Sequence, residues 1–175
     1  MRLAGFLFVL IFSSVARAEP LSFDAFLAGG ASCKPSRDFE AFHEDIVQKY
    51  RNDAGSRGAR VDHAVKARIP AGLRGGFGKA RSVNLGGYTQ VNVPVSGAWR
   101  GLRLAGIEFA LGNETGVQSW KFIFSEPRSA VARVFGKEVE AADRALKRDP
   151  EARDFGHSAK IPSGARGEIA CDMST

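Results

Sequence analysis

Thr89-Gln90-Val91-Asn92-Val93-Pro94-Val95 alternates without a break, with β-branched side chains at the odd positions and Gln90, Asn92 and Pro94 between them. A period of two puts the odd positions on one face of a strand and the even positions on the other. This stretch therefore reads as a half-buried strand. Pro94 has no N–H to give to a ladder, so that end is expected at an edge or a bulge.

The alternation continues toward the C-terminus. Leu102 and Leu104 share one phase, while Ile107, Phe109 and Leu111 share the other, and Gly106 between them is the expected site of a bulge. Gly112-Asn113-Glu114-Thr115-Gly116 has hairpin-loop composition, and the return segment 117–124 carries Trp120, Phe122 and Phe124 on one face. Toward the N-terminus, Val61, His63, Val65, Ala67 and Ile69 alternate with Asp62, Lys66 and Arg68, after the turn residues Gly55-Ser56-Arg57-Gly58. These runs, separated by Gly-rich turns, predict an antiparallel meander.

The flanks switch to helical spacing. Phe39, Phe42, Ile46 and Tyr50 recur on one side of a predicted helix over 37–52 with Ser36 as its cap. A shorter helix over 23–27, capped by Ser22, is expected to end at Gly29-Gly30. Beyond the meander, Ser125-Glu126-Pro127 is expected to open a helix with Ser125 as cap. Val131, Val134 and Phe135 would face the core before Gly136 interrupts, and Val139, Ala142 and Leu146 would continue the stripe until Pro150. Residues 151–164 read as an irregular polar loop and 167–173 as a last strand. The expected class is α+β: an antiparallel meander of four to five strands, packed by an N-terminal helix and a helix after the meander.

The first 18 residues carry a different signal. Arg2 precedes an uncharged run whose core is Phe6-Leu7-Phe8-Val9-Leu10-Ile11-Phe12, and Ala16-Arg17-Ala18 gives the small-x-small pattern of a cleavage site. The run is shorter than the roughly 20 residues that span a bilayer. A cleaved signal peptide over 1–18 is expected, leaving a single domain over 19–175 with no membrane span after cleavage. Its address would be periplasmic or secreted. Removal of Arg2 and Arg17 leaves 23 basic against 19 acidic residues, a formal charge of +4. That excess is too small to indicate a nucleic-acid partner. In an oxidising compartment the two cysteines, Cys33 and Cys171, are expected to form a disulfide.

Few residues carry an obvious chemistry. Gly72-Leu73-Arg74-Gly75-Gly76-Phe77-Gly78-Lys79 looks like a phosphate loop but has five residues, not four, between its outer glycines, and Ala80 stands where such loops place Ser or Thr. The segment reads instead as a flexible, Gly-rich hairpin loop whose Arg74, Lys79 and Arg81 can dock an anionic group, with Trp99 and Arg100 as further contacts. Glu40 and His43 share a helical face, but the further carboxylates and histidines of a helical metal site are missing, so a solvated face is expected and no metal. A Ser158, His63 or His157, Asp62 triad can be written down, but no nucleophile-elbow motif supports it. No catalytic residue and no cofactor is assigned. Asn113-Glu114-Thr115 fits a glycosylation sequon, relevant in a eukaryotic secretory route.

The leading expectation is a non-catalytic binding or accessory protein, such as an inhibitor, that engages an envelope or extracellular protein, or an acidic ligand, through the basic loop. A carrier holding an apolar ligand between helix and sheet is the alternative, and an unrecognised hydrolase the third. A filled core under a basic rim favours the first, and an empty apolar cavity the second.

Overall fold

The computed structural model describes residues 19–51, 60–65, 67–112, 116 and 118–175. Residues 1–18, where a signal peptide is expected, the turn 55–58 and the Asn113 sequon lie outside them. Helix α1 (Arg37–Arg51) precedes a run of strands, β1 (Arg60–His63), β2 (Ala80–Asn84), β3 (Tyr88–Trp99), β4 (Leu102–Gly112) and β5 (Gln118–Pro127). Helices α2 (Arg128–Arg148) and α3 (Pro150–Asp154) and strands β6 (Ser158–Lys160) and β7 (Arg166–Asp172) follow. The seven strands form one sheet in the order β1-β2-β3-β4-β5-β7-β6, antiparallel at every step. The class is α+β with an antiparallel meander, as expected. β2 is a strand that the sequence reading did not name, at the end of the segment read as a Gly-rich loop, and β7 and β6 extend the sheet beyond β5.

The alternation in β3 sorts as its sequence requires: Thr89, Val91, Val93 and Val95 are buried. The register with β4 shifts between Pro94 and Gly97, and that of β4 with β5 shifts between Leu104 and Gly106. Both irregularities fall where proline or glycine disfavours a continuous ladder. The turn between β3 and β4 is tight. Arg100 and Gly101 both take positive φ, 48° and 78°, the conformation that matches the right-handed twist of a two-residue hairpin.

The helices cover one face of the sheet. Phe39, Phe42, Ile46 and Tyr50 of α1 are fully buried, as are Val131 and Phe135 of α2. Ser36 caps α1, its hydroxyl accepting from the Phe39 N–H at 3.2 Å and donating to the Phe26 carbonyl oxygen at 2.6 Å. Phe26, Phe39, Phe42, Phe77, Phe109 and Phe122 meet ring to ring at centroid separations of 5.4–6.2 Å. A second group, Trp99 with Phe122, Phe124 and Phe135, packs at 4.5–5.9 Å under α2. The space between helices and sheet is filled.

The N-terminal segment docks as an extra edge. Ala98 donates to the Leu21 carbonyl oxygen at 2.7 Å and the Phe23 N–H donates to Ala98 at 2.8 Å. Cys33 and Cys171 form a disulfide that ties the following turn to β7.

Several expectations need correction. Residues 23–27 form turns leading into a 3-10 helix, Gly30–Ser32, rather than a capped α-helix. Ser125 does not cap α2: β5 runs on to Pro127, which occupies the N-cap position with no side-chain capping bond. Gly136 does not interrupt α2, since a helix tolerates one glycine at a cost of about 1 kcal/mol. Val134 is 39% exposed, beside the buried stripe and not on it. Residues 151–164 are not irregular throughout: Asp149 accepts from the N–H groups of Glu151 and Ala152 and starts α3, and β6 follows. The strand read over 61–69 stops at His63. Beyond it the chain leaves the sheet, and the Arg68 N–H donates to the Asp45 carboxylate on α1 at 2.7 Å.

Candidate functional site

The Gly-rich segment is docked, not a free loop. Pro70 precedes a 3-10 helix, Ala71–Gly76, and the Phe77 N–H closes it on the Arg74 carbonyl oxygen at 3.3 Å. Gly78 then donates to the Pro94 carbonyl oxygen at 2.8 Å. At Gly76 a Cβ would lie 3.0 Å from both the Phe23 ring and the Ser96 carbonyl oxygen. Only glycine lets the turn approach β3 that closely. The segment thus holds Phe77 in place, with its ring against Phe23, Phe26 and Phe42 at 5.4–5.9 Å.

The half-buried Phe77 forms the floor of a recess of about 440 Å³ together with Val65, Ala67 and Ile69, and Arg74 and Lys79 stand at its rim. The recess continues past Arg74, Ala67 and Ile69 into an open groove of about 1050 Å³ along α1. In that groove Arg68 is already neutralised: its Nε and guanidinium nitrogens donate to both Asp45 oxygens at 2.9 and 3.0 Å and to Glu44 at 3.0 Å. The hydrogen bonds from Arg68 hold the Asp45 carboxyl below its ordinary value, against the smaller opposing effect of burial. Arg74 and Lys79 differ. Both are exposed, and neither side chain makes an ion pair or hydrogen bond among the described residues.

Of the five contact residues expected from the sequence, the structure brings only Arg74 and Lys79 together. Arg81 lies opposite Asn92 in the ladder, on the sheet face away from the buried Ala80 and Ser82, and does not line the recess. Trp99 is 1% exposed and belongs to the core, which removes it as a surface contact. Arg100 is engaged elsewhere: its guanidinium pairs with Glu138 at 2.6 Å and stands 5.1 Å from the Phe135 ring centroid. Its backbone N–H donates to Asp24.

His43 corrects the expected solvated face. It is buried, stacked at 5.4 Å on Phe109 and 5.4 Å from Trp120, because α1 rolls this side toward the sheet. His157 puts its Nε2 3.1 Å from the Ser174 carbonyl oxygen. The side chains of Asp62 and His63 lie outside the described residues. Among the described residues no three His, Cys, Asp or Glu side chains gather as a metal site, and no helix is long and apolar enough to cross a membrane.

The apolar floor was hidden from sequence reasoning. Val65, Ala67 and Ile69 read as one side of a strand, and only the departure of the chain from the sheet turns them into a groove wall. Comparison with family models, with curated proteins and with solved structures finds no match to this chain.

Proposed function

We propose that the mature chain is an exported, non-catalytic binding or accessory protein that holds an anionic partner in the recess between Arg74 and Lys79. One observation carries this reading: two cations with no partner among the described residues stand over an apolar floor, while the neighbouring Arg68 is neutralised by Asp45 and Glu44. A cation left unpaired beside apolar surface is a donor in waiting, and charge-assisted bonds to an incoming anion are about twice as strong as neutral ones. The filled aromatic core speaks against a carrier of an apolar ligand between helix and sheet. Export rests on the Arg2, 3–15 and Ala16-Arg17-Ala18 pattern, and the Cys33–Cys171 disulfide is compatible with it.

Two measurements test the reading. Mass spectrometry of the exported protein should give an N-terminus at Glu19. The Arg74→Ser/Lys79→Ser variant should fold as the parent does by circular dichroism. It should lose the partners that the parent retains from its own compartment at low salt. That capture should weaken as salt rises, because screening shortens to about 8 Å at physiological ionic strength. A folded double variant that keeps every partner at unchanged affinity would refute the anion reading.

A further inference from the structure

We infer that the recess is a site for the C-terminal carboxylate of an extended peptide, with the last side chain seated on Phe77; this rests on the anion reading above and names its ligand. The distribution of charge leads to it. Within the recess and the groove, the lining cations that have no ion pair or hydrogen bond among the described residues are Arg74 and Lys79, at the recess rim. Beyond Arg74 the groove is balanced, with Asp38 and Asp45 set against Lys49 and Arg68. The complementary ligand has its negative charge at one end and a neutral body. A peptide C-terminus has that form, whereas a polyanion would carry charge into the balanced groove.

The shape agrees with the charge. Val65, Ile69 and the outer side of Phe77 offer an apolar seat beside the two cations. An acyl chain would need a deep tunnel, and the aromatic rings behind Phe77 already fill that depth. The recess opens instead into the groove along α1 through the walls they share, Ala67, Ile69 and Arg74. A ligand longer than one residue can therefore leave the recess along the groove, where the Gln48 amide supplies a polar partner for its backbone. Carboxylate capture at a chain end is a recurring recognition mode, and a guanidinium can meet the carboxylate through two parallel N–H bonds.

The test uses the full mature domain and three acetylated peptides with the same neutral body ending in Ala-Leu-Phe. The first ends in a free carboxylate and the second in an amide. The third ends in an amide but carries one internal Asp. Binding is followed by NMR shifts of Ile69 and Phe77. The free-acid peptide should shift both residues, amidation should weaken binding by about tenfold or more, and Arg74→Ser/Lys79→Ser should abolish it. Equal binding of the amide, or of the internal-Asp peptide, would overturn the C-terminal assignment while leaving the basic recess as an anion site. If the free-acid peptide fails to bind but partner capture still depends on Arg74 and Lys79, this inference falls alone. If neither depends on them, the anion reading falls with it.

Discussion

Cys33 and Cys171, 138 residues apart in sequence, stand with their Cα atoms 5.6 Å apart and are joined by a disulfide. The bond fastens the turn that follows Gly30–Ser32 to β7, next to the point where β7 pairs with Trp120 of β5. It closes most of the chain, a separation of 138 residues, into one loop. The chain-entropy model gives about 5 kcal/mol as an upper figure for a loop of that length. Cys33→Ser/Cys171→Ser should therefore lower the melting temperature and cost about 2–5 kcal/mol in denaturant unfolding. The far-ultraviolet circular dichroism should be retained, because the aromatic core does not depend on the bond. A variant that is unfolded at 25 °C would contradict this.

Gly97 is the point where the N-terminal segment meets the sheet. A Cβ there would run into the Phe23 ring and lie 2.6 Å from the Leu21 carbonyl oxygen, both held by backbone bonds to Ala98. Gly97→Ala should destabilise by about 1–3 kcal/mol through overpacking. Gly72→Ala, with open space around it, serves as the control and should change stability little. Urea unfolding of the two variants checks the difference, and equal midpoints would count against the docking.

Trp99 and Arg100 are adjacent and should behave differently from binding residues. Trp99→Ala removes a ring packed on Phe122, Phe124 and Phe135, a loss of about 3–5 kcal/mol. Arg100→Ala removes a partly exposed ion pair with Glu138 and a cation over Phe135, together about 0.5–1 kcal/mol. Neither change should alter anion binding at the recess once folding is accounted for. Weakened peptide binding by folded Arg100→Ala would extend the site to this hairpin.

Acid should act through Asp45. Hydrogen bonds from Arg68 hold its carboxyl below the ordinary value in the folded protein. A carboxyl lowered by folding favours the folded state above its unfolded value of about 3.9, and this contribution disappears as pH falls through the lowered value. The melting temperatures of the parent and Asp45→Asn should differ most between pH 5 and 7, roughly the upper side of that transition. They should converge on acidification toward pH 2. The pair is partly exposed, so the difference should be small and should shrink with salt. A gap that widens on acidification would contradict the assignment.

Local pattern decided most of the sheet. Thr89, Val91, Val93 and Val95 alternate at the period of a strand, and Pro94 and Gly106 mark the irregularities actually seen. The Phe39–Tyr50 stripe likewise names the buried face of α1, since burial of apolar side chains at helical spacing leaves little choice of orientation. The two cysteines in a chain with an export pattern sufficed to pair Cys33 with Cys171. Each of these signals is carried by neighbouring residues or by a count of one.

Other features depend on contacts distant in sequence. The alternation of Val61 to Ile69 is the same before and after His63, yet β1 ends there because Arg68 bonds to Asp45 on α1 rather than to a neighbouring strand. Gly72 to Lys79 resembles a mobile loop until Gly76 is seen pressed on Phe23 and Ser96. Trp99 beside Arg100 resembles a surface contact until α2 closes over it with Phe135. Composition and spacing identified the basic residues; which cations remain unpaired is a property of three-dimensional neighbours. Tertiary structure alone neutralised Arg68 and Arg100, set Arg81 outside the recess, and left Arg74 and Lys79 over an apolar floor. The physical reason is that a side chain's charge is local, whereas its partner is supplied by whichever element packs beside it.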